Sequence, residues 1–199
     1  MSEKLNLYGK IENEFLGKTD IYFQSGLNIV CGDNGSGKTT LLRYICGLKK
    51  NKENLFVNAK KVKAKMLSFF FSGDLLGEAE MSIKDNIMYY GGSENTNDLQ
   101  NRYMELMKRL ELVNYENILL KNASEGMRQK MSIIICLLSN APIKVLDEPF
   151  NYIDERSSNE LVSYLLEYIS SHNDVIIIAT NDKRMFYAVD EKRIYYIQL

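Results

Sequence analysis

The stretch GDNGSGKTT, at positions 32–40, has the residue types and the spacing that can hold a chain of phosphates. It fits the pattern G-x-x-x-x-G-K-[ST], and it lies between the apolar run LNIVC and the helix-like run TTLLRYICGL. The glycines let the backbone turn tightly, so that its N–H groups can point at phosphate oxygens, and the following helix adds the positive end of its dipole. We therefore predict a nucleotide site that uses every position of the loop: Gly32, Asp33, Asn34, Gly35, Ser36, Gly37, Lys38, Thr39 and Thr40.

Two side chains of this loop have distinct predicted roles. Lys38 would reach the β- and γ-phosphates of the nucleotide with its ammonium group. Thr39 would offer its hydroxyl oxygen to a bound Mg²⁺ ion. The loop therefore predicts both nucleotide binding and a metal ion.

A pair of acids follows the apolar run in IKVLDEP, at positions 143–149. Strand ends are where α/β proteins gather ligand groups, and adjacent strand residues point to opposite faces, so that the two acids can take different roles. Asp147 would enter the Mg²⁺ shell, and Glu148 would orient and deprotonate an attacking water. The alternative is that Asp147 caps a helix and Glu148 is its solvated neighbour.

The elements that must position these groups are visible in the apolar pattern. Strands are predicted at 27–31, 54–57, 143–146, 174–180 and 193–199, and several of these are continuous apolar runs, as expected for strands buried on both faces. Helical runs lie between them, so that the alternation predicts an α/β fold with a largely parallel sheet. The span of about 73–141 lacks a convincing long strand. We predict a single domain over residues 1–199, with a mostly helical lobe inserted at that span.

Composition narrows the class of protein. The chain has 199 residues, 45% hydrophobic and 26% charged, as is ordinary for a globular protein. A net charge of -1 supplies no overall basic field, and no nucleic-acid partner is expected. The three cysteines lie in apolar contexts and predict buried, reduced thiols. The longest wholly apolar run, Ile133–Leu138, is far shorter than the roughly 20 residues of a membrane helix.

Four stretches occur in the order and rough spacing of an ABC-type ATPase: positions 32–40, SEGMRQK (124–130), IKVLDEP (143–149) and IIIATND (176–182). The chain resembles the nucleotide-binding domain of an ABC transporter over nearly its whole length. The resemblance implies a P-loop NTPase fold of ABC type, with a mostly parallel core sheet, an N-terminal antiparallel β portion and an inserted α-helical lobe. It also implies ATP and Mg²⁺ as ligands.

The resemblance further implies a head-to-tail dimer that encloses two ATP molecules, as a homodimer or as a heterodimer with another ABC ATPase chain. Each chain would present its signature segment to the γ-phosphate held by the other. Here ASEGM (123–127) takes the place of the usual L-S-G-G-Q. Ser124 would donate its hydroxyl, Gly126 would allow a close backbone approach, and Asp154 would reach across the dimer interface.

The signature segment and the end of the last core strand depart from the family pattern. Ala123, Glu125 and Met127 replace the usual Leu, Gly and Gln. Asn181 takes the place of the usual histidine, and it can hydrogen-bond a γ-phosphate but cannot shuttle a proton. The single histidine, His172, is predicted to be an exposed residue at a helix end.

Two further family features lack an evident counterpart. The glutamine that leads into the helical lobe is missing, because no glutamine occurs between positions 24 and 100, and Ser72 or Asp74 is the candidate to replace it. Tyr8 and Phe15 are the candidates to stack on adenine. Since altered transition-state contacts each slow an enzyme by about 10²–10³-fold, we expect slow turnover.

These features predict the ATP-hydrolysing subunit of an ABC transporter. Dimer closure would drive a separately encoded integral membrane permease subunit, and the chain would be cytoplasmic and peripheral on the inner face of the cell membrane. Two alternatives remain. The chain could be a regulatory ABC subunit that binds ATP without hydrolysing it, or an ABC-type ATPase of DNA repair, although the long heptad-rich helices of that branch are not in this sequence.

Overall fold

A computed structural model of the protein describes residues 5–13, 17–49, 55–74, 76–92, 97–181, 186 and 193–199. The described residues form two compact units. The first unit comes from three parts of the chain, namely Met1–Phe69, Ala141–Glu148 and Leu165–Leu199. The second unit comes from Phe70–Asn140 and Pro149–Tyr164.

A mostly parallel sheet forms the centre of the first unit. In the described part of the chain its strands have the order β6-β7-β8-β3-β9, and the pairs β7–β8, β8–β3 and β3–β9 are parallel. The bounds of these strands are β3 Gly26–Cys31, β6 Leu67–Phe71, β7 Ile143–Asp147, β8 Val175–Thr180 and β9 Ile194–Gln198. All residues of β3, β7 and β8 are buried, as their continuous apolar runs predict.

An antiparallel sheet with strand order β2-β1-β4-β5 also belongs to the first unit. The bounds of its strands are β1 Asn6–Asn13, β2 Gly17–Gln24, β4 Leu55–Val57 and β5 Lys60–Lys61. Strands β1 and β2 pair along their full length, from Asn6 opposite Gln24 to Asn13 opposite Gly17. The predicted strand at 54–57 is confirmed from Leu55 onward, while Asn54 lies outside the described residues.

Two helices are connected in sequence to strands of the parallel sheet. Helix α1, Lys38–Ile45, follows β3 and buries Leu41, Leu42 and Ile45 against β7 and β8. The last helix, α5, extends over Glu155–Ser171 and precedes β8. Its C-terminal part lies in the first unit and its N-terminal part in the second.

The second unit is mostly helical. Its helices are α2 Ile83–Gly91, α3 Asn97–Arg109 and α4 Glu125–Leu138, together with the first half of α5. Helix α4 is buried on all sides from Gln129 to Leu138, which makes it the centre of this unit. Asn86 of α2 is fully buried and donates to three backbone carbonyls of residues 78–82, which fixes the segment that leads into α2.

The described part of the chain contains no helix that is both long enough and apolar enough to cross a bilayer. The predicted boundary of the helical lobe at about 73–141 stays a prediction.

Candidate functional site

The carboxyl ends of three neighbouring strands bring the predicted loop and acids of the first unit together. Cys31 at the end of β3 is level with Thr180 at the end of β8, and Asp147 at the end of β7 is level with Ala179. The residues that follow these strands therefore leave the sheet at the same edge. They are the loop 32–37, Glu148 and Asn181.

The loop of positions 32–37 has the backbone that its glycines predict. Gly35 and Gly37 have φ angles of 84° and 100°, a region that favours glycine. A Cβ atom at Gly32 would lie 2.4 Å from Ser36 Oγ and 2.9 Å from the carbonyl oxygen of Leu199, so there is no space for a side chain. Helix α1 begins directly after Gly37, and no side chain caps its first turn.

Lys38 is held against the loop by its own neighbours. Its Nζ atom donates to the carbonyl oxygens of Gly32 at 2.7 Å and Asp33 at 3.1 Å, and also to Asn181 Oδ1. Glu148 Oε1 lies 4.0 Å from the same Nζ atom. These contacts fix the ammonium group beside the loop backbone. The sequence predicts that this lysine binds phosphate.

Thr39 and Asp147, the two predicted Mg²⁺ ligands, lie side by side. The Thr39 hydroxyl donates to Asp147 Oδ2 at 2.8 Å, and Asp147 is 4% exposed. Asp147 ends β7 and the next helix begins at Glu155, so the alternative interpretation of Asp147 as a helix-capping acid is wrong. A hydroxyl and a carboxylate at hydrogen-bond distance are the hard oxygen donors that Mg²⁺ prefers.

The loop also fits a phosphate group. The first-turn N–H groups of α1 have no side-chain cap, and a helix N-terminus attracts anions. The Oγ atom of Ser36 is buried and has no hydrogen-bond partner among the described residues. Because a phosphate would supply acceptors for these donors, the residues present fit Mg²⁺ and a nucleoside phosphate.

Glu148 occupies a strained and partly desolvated position. Its φ angle is 48°, in the left-handed region that non-glycine residues seldom adopt. Its N–H donates to the carbonyl oxygen of Ala179 at 2.8 Å, which ties it to β8. Burial raises the pKa of its carboxyl group, while hydrogen bonding to the Asn181 N–H and the charge of Lys38 act in the opposite direction. A carboxylate with a raised pKa is suited to accept a proton.

Ser124 and Gly126 lie in the second unit at the start of α4. Ser124 caps this helix, since its Oγ atom accepts a hydrogen bond from the Met127 N–H at 3.2 Å. A Cβ atom at Gly126 would lie 2.7 Å from the carbonyl oxygen of Tyr152. The glycine therefore allows the segment before α5 to approach α4 closely.

Asp154 lies in that same segment and is held from two sides. It caps α5 by accepting from the Ser157 N–H at 2.8 Å, and it accepts from Lys130 Nζ at 2.7 Å. These partners, with the Lys130 hydrogen bond first, hold the pKa of Asp154 well below its usual range. Gln129 Nε2 donates to the Asn151 carbonyl oxygen at 2.7 Å. The sequence interpretation missed both Gln129 and Lys130, whose only signal is their place in the run SEGMRQK.

A family model described as ABC transporter matches residues 20–151, which is more than half of the chain. The chain belongs to the ABC transporter family. This match includes the phosphate loop, the signature segment and the acidic pair, so the predicted family is confirmed.

Two relatives agree with this ABC assignment, and a solved structure has the same fold. The chain is 29% identical over 194 residues to an ABC transporter ATP-binding protein of Mycoplasma genitalium, covering 92% of this chain and 71% of that protein. It is 31% identical over 140 residues to the ABC transporter ATP-binding protein NatA of Bacillus subtilis, covering 65% of this chain and 56% of NatA. An ABC transporter ATP-binding protein of Pyrococcus furiosus has the same fold, with a TM-score of 0.78 at 21% identity, covering 98% of this chain and 97% of that one. The predicted fold class is thereby confirmed.

The other residues singled out in the sequence lie outside the phosphate loop. Asp74 lies in the turn after β6, where its N–H donates to the Phe71 carbonyl oxygen at 3.0 Å. His172 is exposed just after α5 and its ring stacks on Tyr168, so its predicted position at a helix end is confirmed. Tyr8 stacks on Phe56, and Phe15 lies outside the described residues.

Proposed function

We propose that this chain is the ATP-binding and ATP-hydrolysing subunit of an ABC transporter. The observation that carries the proposal is the edge where β3, β7 and β8 end. There Lys38, the Thr39–Asp147 pair and Glu148 meet within hydrogen-bond or ion-pair distance. This set of a cation, two oxygen donors and a carboxylate with a raised pKa is what phosphoryl transfer to water requires.

Each residue of this edge has a specific task in the proposed reaction. Lys38 and the N–H groups of the loop bind and orient the phosphates. Thr39 and Asp147 would hold Mg²⁺, which supplies charge neutralisation at the phosphates when it is bound. Glu148 orients the attacking water and takes up its proton.

The chain would act as one half of a head-to-tail dimer, as a homodimer or with another ABC ATPase chain. Ser124 and Gly126 of one copy would face the γ-phosphate held by the other copy, and Asp154 would reach across the interface. Closure of this dimer on ATP would drive a separately encoded integral membrane permease. The chain would then be a cytoplasmic protein that is peripheral on the inner face of the membrane.

The proposed turnover is slow. Asn181 cannot shuttle a proton, a glutamine is missing before the helical unit, and three signature positions differ from the common pattern. Loss of one transition-state hydrogen bond costs about 10²–10³-fold in rate. The intact loop and acidic pair leave ATP binding and some hydrolysis in place.

The test is phosphate release by the purified chain with Mg²⁺ and ATP, compared with its Glu148→Gln variant. We expect the Glu148→Gln variant to bind ATP as the unmodified chain does and to lose turnover by about 10²-fold or more. Glu80→Gln is the matched control, because this exposed glutamate pairs with Lys121 on the surface. Binding of ATP with equal phosphate release by all three proteins at background would instead identify a regulatory, non-hydrolysing subunit.

A further inference from the structure

Asn181 connects three segments of the nucleotide edge. Its Oδ1 atom accepts a hydrogen bond from Lys38 Nζ, and its Nδ2 atom donates to Asn34 Oδ1 at 2.5 Å. Its backbone N–H donates to Glu148 Oε2 at 3.4 Å. Asn181, which directly follows β8, therefore contacts the phosphate loop at both Asn34 and Lys38. It also contacts Glu148, the acid that follows β7.

The carboxamide group is what makes the double contact possible. An asparagine side chain presents a donor and an acceptor at the same end, so that it can face an ammonium group and a carbonyl oxygen together. In a neutral histidine the donor and acceptor nitrogens point away from each other across the ring. Asn181 can thus bridge Asn34 and Lys38 in a way that the histidine usual at this position cannot.

The Asn181 bridge fixes the position of the Lys38 ammonium group relative to the loop. The Lys38 side chain is 7% exposed. Its ammonium group donates to two backbone carbonyls in addition to Asn181. Asn34 lies on the exposed part of the loop, four positions before Lys38, and its side-chain carbonyl contacts Asn181. Asn181 therefore restrains two points of the loop that are joined along the chain by Gly35, Ser36 and Gly37.

We propose that Asn181 is a positioning residue that aligns Lys38 and Asn34 for the phosphates common to ADP and ATP, rather than only a contact to the γ-phosphate. This inference rests on the proposed function. A loop lysine and loop N–H groups contact the β-phosphate as well as the γ-phosphate. A residue that positions them should therefore affect the affinity for both nucleotides.

The test is isothermal titration calorimetry of the full chain with Mg²⁺ and either ADP or a non-hydrolysable ATP analogue. We expect Asn181→Ala to weaken both ligands about 10- to 30-fold, the effect of one charge-assisted hydrogen bond. Asn181→His should lose as much ADP affinity as Asn181→Ala. Asn34→Ala should also weaken ADP binding, and the double variant should lose much less than the sum of the two single losses.

Asn114→Ala is the control, because it makes the same chemical change at an exposed position of the second unit. It should leave both affinities unchanged. If Asn181→Ala spared ADP and weakened only the ATP analogue, or if the two single losses simply added, the positioning role would be wrong while the proposed function would stand. If the unmodified chain bound neither nucleotide, both would fail. Thermal unfolding of each variant without nucleotide identifies any loss of fold, in which case Asn34→Ala alone decides the ADP result.

Discussion

Glu148 illustrates how its neighbours set the chemistry of one residue. Its side chain is 18% exposed, and burial raises the pKa of the carboxyl group. The Asn181 N–H and the charge of Lys38 lower this pKa, and the charge of Asp147 raises it. The net result is a carboxyl group that accepts a proton more readily than an ordinary glutamate, which suits the proposed role of Glu148 as a general base.

The raised pKa of Glu148 predicts how the stability of the chain without nucleotide depends on pH. A group whose pKa is higher in the folded state stabilises the fold below its unfolded pKa, about 4.3 for glutamate, and this contribution is lost as pH rises through the folded pKa. We therefore expect Glu148→Gln to gain in free energy of unfolding, relative to the unmodified chain, as pH increases from about 4 to 7. Urea unfolding across this range measures this gain, and a difference in free energy that does not change with pH would contradict the prediction.

At the scale of elements, the start of α4 and the segment before α5 form one structural block. Gln129 binds the Asn151 carbonyl oxygen, and Lys130 binds Asp154. Gly126 brings the Tyr152 carbonyl oxygen close, and Tyr152 itself has a left-handed φ of 60°. The signature segment is therefore positioned by this second segment as much as by its own helix.

Gly126→Ala tests this block. The added Cβ atom would lie 2.7 Å from a backbone oxygen, so that the segment at Tyr152 must shift. We expect a loss of about 1–3 kcal/mol in the free energy of unfolding, as is usual for overpacking. Gly91→Ala in α2 is the matched control, because its Cβ would lie at an ordinary 3.4 Å from Leu138 and alanine favours helix. Equal stability of the two variants would show that the close approach is not needed.

At the scale of the whole molecule, the predicted ATP contacts divide between the two units. The phosphate loop and the acidic pair lie in the first, and Ser124 and Gly126 lie in the second. Each chain therefore contains both groups of predicted ATP contacts, one group in each unit. The proposed dimer uses the second unit of one copy to complete the ATP site on the first unit of the other.

Ser124→Ala separates this role from helix capping. We expect it to weaken ATP-driven dimerisation, measured by analytical ultracentrifugation in a Glu148→Gln background, about 10-fold or more, while ATP affinity of the monomer stays nearly unchanged. Ser82→Ala is the matched control, because Ser82 caps α2 in the same way by accepting from the Asp85 N–H. Both variants should lose about 1 kcal/mol of stability. Equal dimerisation of the two would mean that Ser124 is only a cap.

The sequence by itself determined the buried strands of the parallel sheet, the phosphate loop and the position of the acidic pair. Apolar runs and glycine spacing are local patterns, so β3, β7 and β8 and the loop at 32–37 could be predicted without knowing their neighbours. The family pattern pointed to Ser124, and its helix-capping role follows from local chemistry.

Only the tertiary structure decided which of these residues meet. Asn34 and Asn181 are 147 positions apart, and they touch because β8 lies beside β3 in the sheet. Lys130 and Asp154 pair because the start of α4 packs against the segment before α5. These contacts depend on strand order and helix packing, which involve parts of the chain far apart in sequence, and no local pattern of residues encodes them.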